Sequence, residues 1–343
     1  MRRYMKAVVV VEPGKLVIEE RPMVSAPDDT EVVVRIKAVG ICGSDSHIYH
    51  GRSAFATYPR IIGHEMAGEV YQMGAQVTGL KSGDKVAIDP VVSCGRCYAC
   101  RIGRHNVCSS VKVLGVHLDG GYREYIKVDA GNVYKLPDNI SWEHATTVEP
   151  FSIAAESISR GHLSPDDNVL ICGAGPIGLV VLQAVKRIGA RVIIMDILDS
   201  RLEKALDMGA DVVVNTKKSD LEKAVMDFTG GEGVNVIFEA TGNINIFELC
   251  ISKLVSQAGR FVVLGFPSEP AKIAPIDIMK RELDIVGSRL NLKKFPEVIQ
   301  WFKAKEVDPS KIISHIFPLD KIQEAFDLSD KNPEEVCKIV LTV

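Results

Sequence analysis

No stretch of this 343-residue sequence reaches the ~20 apolar residues that a membrane span requires. No run of like charges stands out, and the net charge is only −3. Phosphate backbones are bound by clustered Lys and Arg, so this balance argues against a nucleic-acid surface. There is no internal repeat and no low-complexity tract. The opening Met1-Arg2-Arg3-Tyr4-Met5-Lys6 is basic and runs into Ala7-Val8-Val9-Val10-Val11. Glu12-Pro13-Gly14 ends that run too early for a secretory leader, so it reads as a strand and a turn. The expectation is a cytoplasmic protein without membrane or nucleic-acid partners. Eight cysteines, four of them clustered, suit that reducing compartment. What is present is ordinary for a globular chain: 46% hydrophobic and 25% charged residues. The length suggests two domains, each able to bury a core without crosslinks.

The most informative local pattern is Cys94-x2-Cys97-x2-Cys100-x7-Cys108. Thiolates at that spacing close a tetrahedron around one Zn2+. Small residues and turns in Ser93-Cys94-Gly95-Arg96-Cys97-Tyr98-Ala99-Cys100 let the chain bend around the metal. Four sulfurs fill the coordination shell, so this zinc staples a lobe at residues 93–109 and leaves the chemistry to another site. The alternative is a redox cluster, which four cysteines together disfavour in a cytosolic chain.

The texture divides the chain near Pro150. Before it lie short strands and turns, such as Val32-Val33-Val34-Arg35-Ile36-Lys37-Ala38 and Lys85-Val86-Ala87-Ile88. From about 168 to 288, strand runs alternate with helix-length segments, which is the pattern of a parallel sheet with helical crossovers. The last 55 or so residues hold a helix near Phe295 to Lys305 and a terminal strand, Lys338-Ile339-Val340-Leu341-Thr342-Val343.

Gly173-Ala174-Gly175-Pro176-Ile177-Gly178 follows the strand Val169-Leu170-Ile171-Cys172 and opens a helix. The three glycines give a tight turn, room for a pyrophosphate against the backbone, and close helix–sheet packing. The helix N-terminus offers its free N–H groups to the phosphates. Asp196 ends the next strand, where a carboxylate accepts both adenosine ribose hydroxyls and repels a 2′-phosphate, favouring NAD over NADP. Arg201 lies nearby and could instead help a phosphate. An ordinary glycine-rich turn and a helix cap at Asp196 are the plain alternatives.

A second metal site is suggested by Ile41-Cys42-Gly43-Ser44-Asp45-Ser46-His47 and Gly63-His64-Glu65-Met66-Ala67-Gly68-Glu69. Cys42, His64 and one carboxylate would give three protein ligands and an open fourth position, the layout of a catalytic zinc. Taken singly, Cys42 also reads as a small buried residue and His64 as a hydrogen-bonded structural histidine.

With these residues in place, the chain resembles the zinc-containing medium-chain dehydrogenase/reductases of the alcohol and polyol dehydrogenase type. The likeness runs through Gly63-His64-Glu65, the four-cysteine lobe, Val148-Glu149-Pro150 and the fingerprint with Asp196. Within that family it is similar to the starvation-sensing and aldonate (L-gulonate, L-idonate, L-galactonate) 5-dehydrogenase group. Cys42-Gly43-Ser44-Asp45-Ser46-His47-Ile48-Tyr49, Asp89-Pro90-Val91-Val92-Ser93-Cys94, Val113-Leu114-Gly115-Val116-His117 with Asp119-Gly120-Gly121, and Gly287-Ser288-Arg289-Leu290-Asn291 carry this closer likeness.

The resemblance implies an α/β architecture: a mostly-β, GroES-like catalytic domain from 1–150 and 289–343, and a Rossmann NAD-binding domain from 151–288. It implies that Cys42 and His64 ligate a catalytic zinc. Glu65 and Glu149 would ligate it directly, through water or in alternation, and Asp45 would orient His64. Ser44 would take the substrate hydroxyl proton and pass it through the nicotinamide ribose toward His47 and solvent. Arg289 would face the substrate. His117 and Asn291 stand where simple alcohol dehydrogenases carry apolar walls, so a hydrophobic alcohol fits poorly. Two zincs per chain, NAD and a homodimer or homotetramer complete the expectation.

The chemical logic is that a secondary alcohol has a pKa far above 7, and Zn2+ acidifies it as it acidifies water. The expected reaction is NAD-dependent oxidation of a sugar acid at a secondary hydroxyl, with Arg289 meeting the carboxylate. Arg289 also reads as a surface or cofactor-phosphate arginine. Rival readings are a neutral polyol or L-threonine dehydrogenase, and an NAD-binding regulatory protein.

Overall fold

The β-branched run Val32-Val33-Val34 lies in the strand Glu31–Ile41, because branched side chains pack well on a pleated surface. The computed structural model describes residues 3–266 and 269–343. Glu31–Ile41 sits inside a seven-stranded sheet ordered Ile313–Pro318, Lys338–Thr342, Glu31–Ile41, Glu65–Met73, Lys85–Ile88, Val133–Lys135; Tyr125–Asp129 also pairs with Glu31–Ile41. The antiparallel register sets Gly40 opposite Glu65 on one side and Val340 on the other. That register brings the start of the last strand beside the start of Glu65–Met73. Val34, Ile36, Val70, Ile126 and Phe326 are among the residues that fill the core beneath the sheet.

A second sheet has six parallel strands in the order Val212–Asn215, Arg191–Asp196, Asn168–Cys172, Val234–Glu239, Val255–Val263, Asp284–Gly287. Numbered along the chain, this is the 3-2-1-4-5-6 order of a dinucleotide fold, with the strand order reversing at Asn168–Cys172. Its apolar runs are continuous rather than alternating, because helices cover both faces. The helix Pro176–Ile188 starts with proline in its first turn and stops at Gly189, whose φ of 99° only glycine adopts readily.

By contact the chain divides into two units. One holds the residues up to Glu149 with Phe295–Ala304 and Pro309–Val343; the other holds Pro150–Lys294 with Lys305–Asp308. The strand Ile313–Pro318 and the helix Ile322–Lys331 went unread in the sequence. The strand has almost no buried/exposed alternation, so the period-of-two signal is missing. Among the described residues, no helix is long and apolar enough to cross a membrane.

Candidate metal centres and dinucleotide cradle

Cys94, Cys97, Cys100 and Cys108 converge, with their sulfurs all within 4.8 Å of one another. Two short strands, Val91–Val92 and Lys112–Val113, pair antiparallel and hold the base of this lobe. The turn aims backbone N–H groups at the sulfurs. Those of Arg96 and Cys97 lower the Cys94 thiol to about 7. Those of Cys100 and Ser109 lower Cys97 to about 5. Burial, with the neighbouring thiols, raises Cys100 to about 11. The turn thus favours the thiolate at Cys94 and Cys97 and opposes it at Cys100, and four sulfurs at these distances fit a closed Zn2+ shell.

A second donor set gathers in the same unit. Cys42 Sγ, a His64 ring nitrogen and a Glu65 oxygen lie within 4.8 Å of one another. Cys42 stands at the start of the helix Gly43–Tyr49, and Glu65 opens the strand Glu65–Met73. Asp45, completely buried, ties the two segments together: it accepts the Cys42 N–H at 2.9 Å and the Gly63 N–H at 3.0 Å. Its Oδ1 also lies 3.6 Å from His64 Nδ1, which leaves Nε2 of that ring for a metal. Burial opposes protonation of His64, but the charges of Asp45 and Cys42 outweigh it and hold the ring well above its usual value. A proton held there is what a dication displaces.

Two atoms of this set are buried without a hydrogen-bond partner, His64 Nδ1 and Glu65 Oε2. An orphaned acceptor inside a protein calls for an explanation, and an ion supplies one for Glu65 Oε2, whereas His64 Nδ1 faces Asp45. The mixed S, N and O set with only three members suits Zn2+ with an open position. Glu149, in the first turn of the helix Val148–Arg160, is buried too. Burial raises its carboxyl to about 7, with Glu65 and Asp89 adding to the effect and His64 and Lys338 opposing it. Ser44 and His47 are exposed on the helix Gly43–Tyr49, three residues apart and therefore on one face.

Two side chains here carried no sequence signal. Lys338 opens the strand Lys338–Thr342, and its ammonium donates to Glu65 Oε1 at 2.5 Å and to the Ile41 carbonyl at 3.1 Å. Burial opposes this charge, but Glu65 and Cys42 hold the ammonium above its ordinary range. Tyr122 is fully buried, and its hydroxyl has no partner. Burial, then the charges of Asp45 and Glu65, push it well above the usual phenol value.

In the other unit the fingerprint forms the turn that its glycines require. Gly173 has φ 99°, and a Cβ on Gly178 would meet the Gly173 carbonyl oxygen at 1.8 Å. Gly175 caps the helix Pro176–Ile188, and Ile177 lies in its first turn. Asp196 ends the strand Arg191–Asp196 and reaches back to this turn, accepting the Ala174 N–H at 2.8 Å. Its other oxygen accepts from Ile197 and Leu198. Asp196 is thus a clamp on the turn rather than the cap of the helix Asp199–Asp207, whose N-cap is Leu198. Arg201 Nη1 lies 3.8 Å from the Asp196 carboxylate.

Arg289 and Asn291 belong to this same unit, His117 to the first. Arg289 is exposed in the turn after Asp284–Gly287. Leu290 beside it is held at φ 54°, a conformation a branched side chain rarely adopts and that clusters at functional turns. Asn291 is 2% exposed and accepts the Lys294 N–H at 3.2 Å. His117 accepts the Val113 N–H at Nδ1, 3.0 Å away, so its Nε2 is the donor. Its ring lies 6.0 Å from that of the exposed Phe55.

Residues 28–138 match the family described as alcohol dehydrogenase GroES-like domain, and residues 176–304 that described as zinc-binding dehydrogenase. The chain belongs to the zinc-binding medium-chain alcohol dehydrogenase family and is an oxidoreductase acting on CH–OH groups. Starvation-sensing protein RspB of Escherichia coli K12 is 42% identical over 98% of this chain and 99% of its own. A crystal structure of rspB from E. coli CFT073, with cofactor NADH, superposes with a TM-score of 0.95 at 40% identity, covering both chains fully. Sorbitol dehydrogenase of Bacillus subtilis is 34% identical, over 98% of this chain and 97% of its own. L-galactonate-5-dehydrogenase of E. coli K12 is 32% identical, over 98% and 99%.

Proposed function

We propose that this chain oxidises a secondary hydroxyl of a sugar acid with NAD, as a hexonate 5-dehydrogenase of the L-gulonate type. The observation that carries the reading is the donor set of half-buried Cys42 with buried His64 and Glu65, in which Glu65 Oε2 has no hydrogen-bond partner. Zinc supplies Lewis acidity toward the substrate hydroxyl, and the nicotinamide accepts hydride. Cys42 Sγ, His64 Nε2 and Glu65 Oε2 hold the metal, and Asp45 fixes the His64 ring. Glu149, whose carboxyl burial raises to about 7, would be the further carboxylate of the centre beside Glu65, ligating directly, through water or in alternation. Ser44 Oγ takes the hydroxyl proton, and His47 on the same helix face releases it to solvent. Backbone N–H groups of Gly175, Ile177 and Gly178 at the helix start meet the pyrophosphate, with Gly173 and Pro176 shaping the turn and Asp196 and Arg201 at the ribose. The rspB structure with NADH supports the choice of cofactor.

Asp196→Asn tests the cofactor assignment, because the amide keeps one acceptor for the turn and loses the charge. NAD affinity should fall by about tenfold or more, the typical worth of a charge-assisted hydrogen bond, and discrimination against NADP should relax. An unchanged NAD/NADP ratio would leave Asp196 as a structural clamp only.

The sugar-acid substrate is supported by the relation to L-galactonate-5-dehydrogenase and by the polar residues Arg289, His117 and Asn291. A guanidinium binds a carboxylate bidentately, in ground and transition states alike, so its loss shows mainly in KM. Arg289→Ala should therefore raise KM for a hexonate much more than for the corresponding neutral polyol, assayed as NADH absorbance. Equal losses on acid and polyol would sink the carboxylate role. They would favour the polyol reading, which the relation to sorbitol dehydrogenase supports.

We read the chain as cytoplasmic and as a homodimer or homotetramer. The edge strand Asp284–Gly287, with Ile276, Ile285 and Met279 exposed near it in sequence, supports self-association, since open apolar edges recruit a partner. A monomeric mass by light scattering would rule this out.

A further inference from the structure

Lys338 has a charge, a burial and a pair of partners that the roles assigned so far do not use. A buried ammonium is costly unless it is paired and hydrogen-bonded. At 2% exposure this one is held by Glu65 Oε1 and by the carbonyl of Ile41. Ile41 precedes Cys42, and Glu65 follows His64. One cation therefore grips both backbone arms that carry the candidate ligands.

The same contact divides the two oxygens of Glu65. Oε1 is occupied by Lys338, whereas Oε2 is buried without a partner. Oε2 lies over Gly40, where a Cβ would stand only 1.9 Å from it. Gly40 leaves the space, Lys338 holds the opposite corner, and the carboxylate has one oxygen to offer a metal.

Charge explains what such an arrangement achieves. A thiolate from Cys42 and a carboxylate from Glu65 bring two negative charges to a dication. A centre neutralised in this way is a poor Lewis acid and binds a substrate hydroxyl weakly. An ammonium on the carboxylate withdraws part of that charge. It also repels the metal at short range, where the surroundings screen little.

We infer that Lys338 is a positioning residue that keeps Glu65 a one-oxygen, displaceable ligand of the catalytic zinc. The inference rests on the metal reading of Cys42, His64 and Glu65. It differs from a merely structural role in the sign of one effect. A prop whose removal loosens the site makes zinc leave faster. A counter-charge whose removal frees Glu65 to ligate fully makes zinc leave more slowly.

The experiment measures zinc release from the purified full chain to an excess of a chromogenic chelator, with the four-cysteine zinc as an internal reference. In Lys338→Met the release of the second zinc should slow by about tenfold or more, with the reference phase unchanged and kcat reduced. Lys338→Gln keeps donors for Glu65 and for the Ile41 carbonyl but carries no charge; it should slow release likewise and serves if the methionine variant does not fold. Cobalt substitution gives a second readout, because a change in the oxygen ligands of the second site shifts its visible bands. Release as fast as in the wild type, or faster, overturns the inference while the metal reading stands. A wild-type chain that holds one zinc only overturns both.

Discussion

Cys42→Ser and His64→Ala are expected to lower kcat by about a thousandfold or more while NADH affinity stays within about twofold. In the proposed centre each removes one of the three ligands Cys42, His64 and Glu65, and a zinc that loses one of them loses its hold and its geometry. The loss is in the chemical step, because the interactions with the reacting oxygen exist chiefly in the transition state. Cofactor affinity survives because the fingerprint and Asp196 belong to the other compact unit. Steady-state kinetics and NADH fluorescence titration separate the two effects. A wild-type kcat in either variant would show that the chemistry lies elsewhere.

Stability, rather than turnover, should respond to the four-cysteine lobe. Cys100→Ser removes a ligand whose sulfur is buried in the cluster, and one lost thiolate opens a closed tetrahedral site. Zinc content should fall from two per chain to one. Tm should drop by about 10 °C, the order expected for loss of a structural metal from a chain of this size. Hydrogen exchange should rise over residues 93–109. Chelation of the wild-type chain should run in the opposite order, emptying the open site and ending activity before the lobe unfolds. A Cys100→Ser chain with two zincs and unchanged Tm would mean the cluster is not a metal staple.

These two sites were legible to different degrees. The lobe is local: Cys94 to Cys108 is a single spacing pattern, and turn geometry alone brings its sulfurs together. The fingerprint is also local, a strand, a turn and a helix in sequence, and its parallel sheet follows from runs such as Val169-Leu170-Ile171. The second donor set has no such spacing. Cys42 sits at a helix start and His64 before a strand, 22 residues on, and each alone looks ordinary. The residue types alone suggested a site there and left the plain readings open, and family likeness chose between them. Lys338 was invisible because it is 273 residues from Glu65 and meets it through the pairing of non-consecutive strands. Tyr122 likewise acts through burial, which no local pattern announces. The reading of Asp196 as a possible helix cap failed in an instructive way: its carboxylate turns back to Ala174 on the neighbouring strand's loop. A contact across a parallel sheet cannot be inferred from residues 196–200 alone.

The spacing of the ligands also sets a timetable. The lobe can close on zinc as soon as a 15-residue segment is free to turn, and short loops close within about 0.1 µs. The second site needs the strand Glu31–Ile41 to pair with Glu65–Met73, and its counter-charge comes from a strand joined across 297 residues. Pairings that distant form late, since the long intervening loop must be ordered first. Between the two halves of that unit the chain must also place the whole of the segment Pro150–Lys294. The two metal ions therefore enter on separate clocks. Refolding with a zinc indicator should show an early uptake, followed by a later one that tracks the recovery of activity.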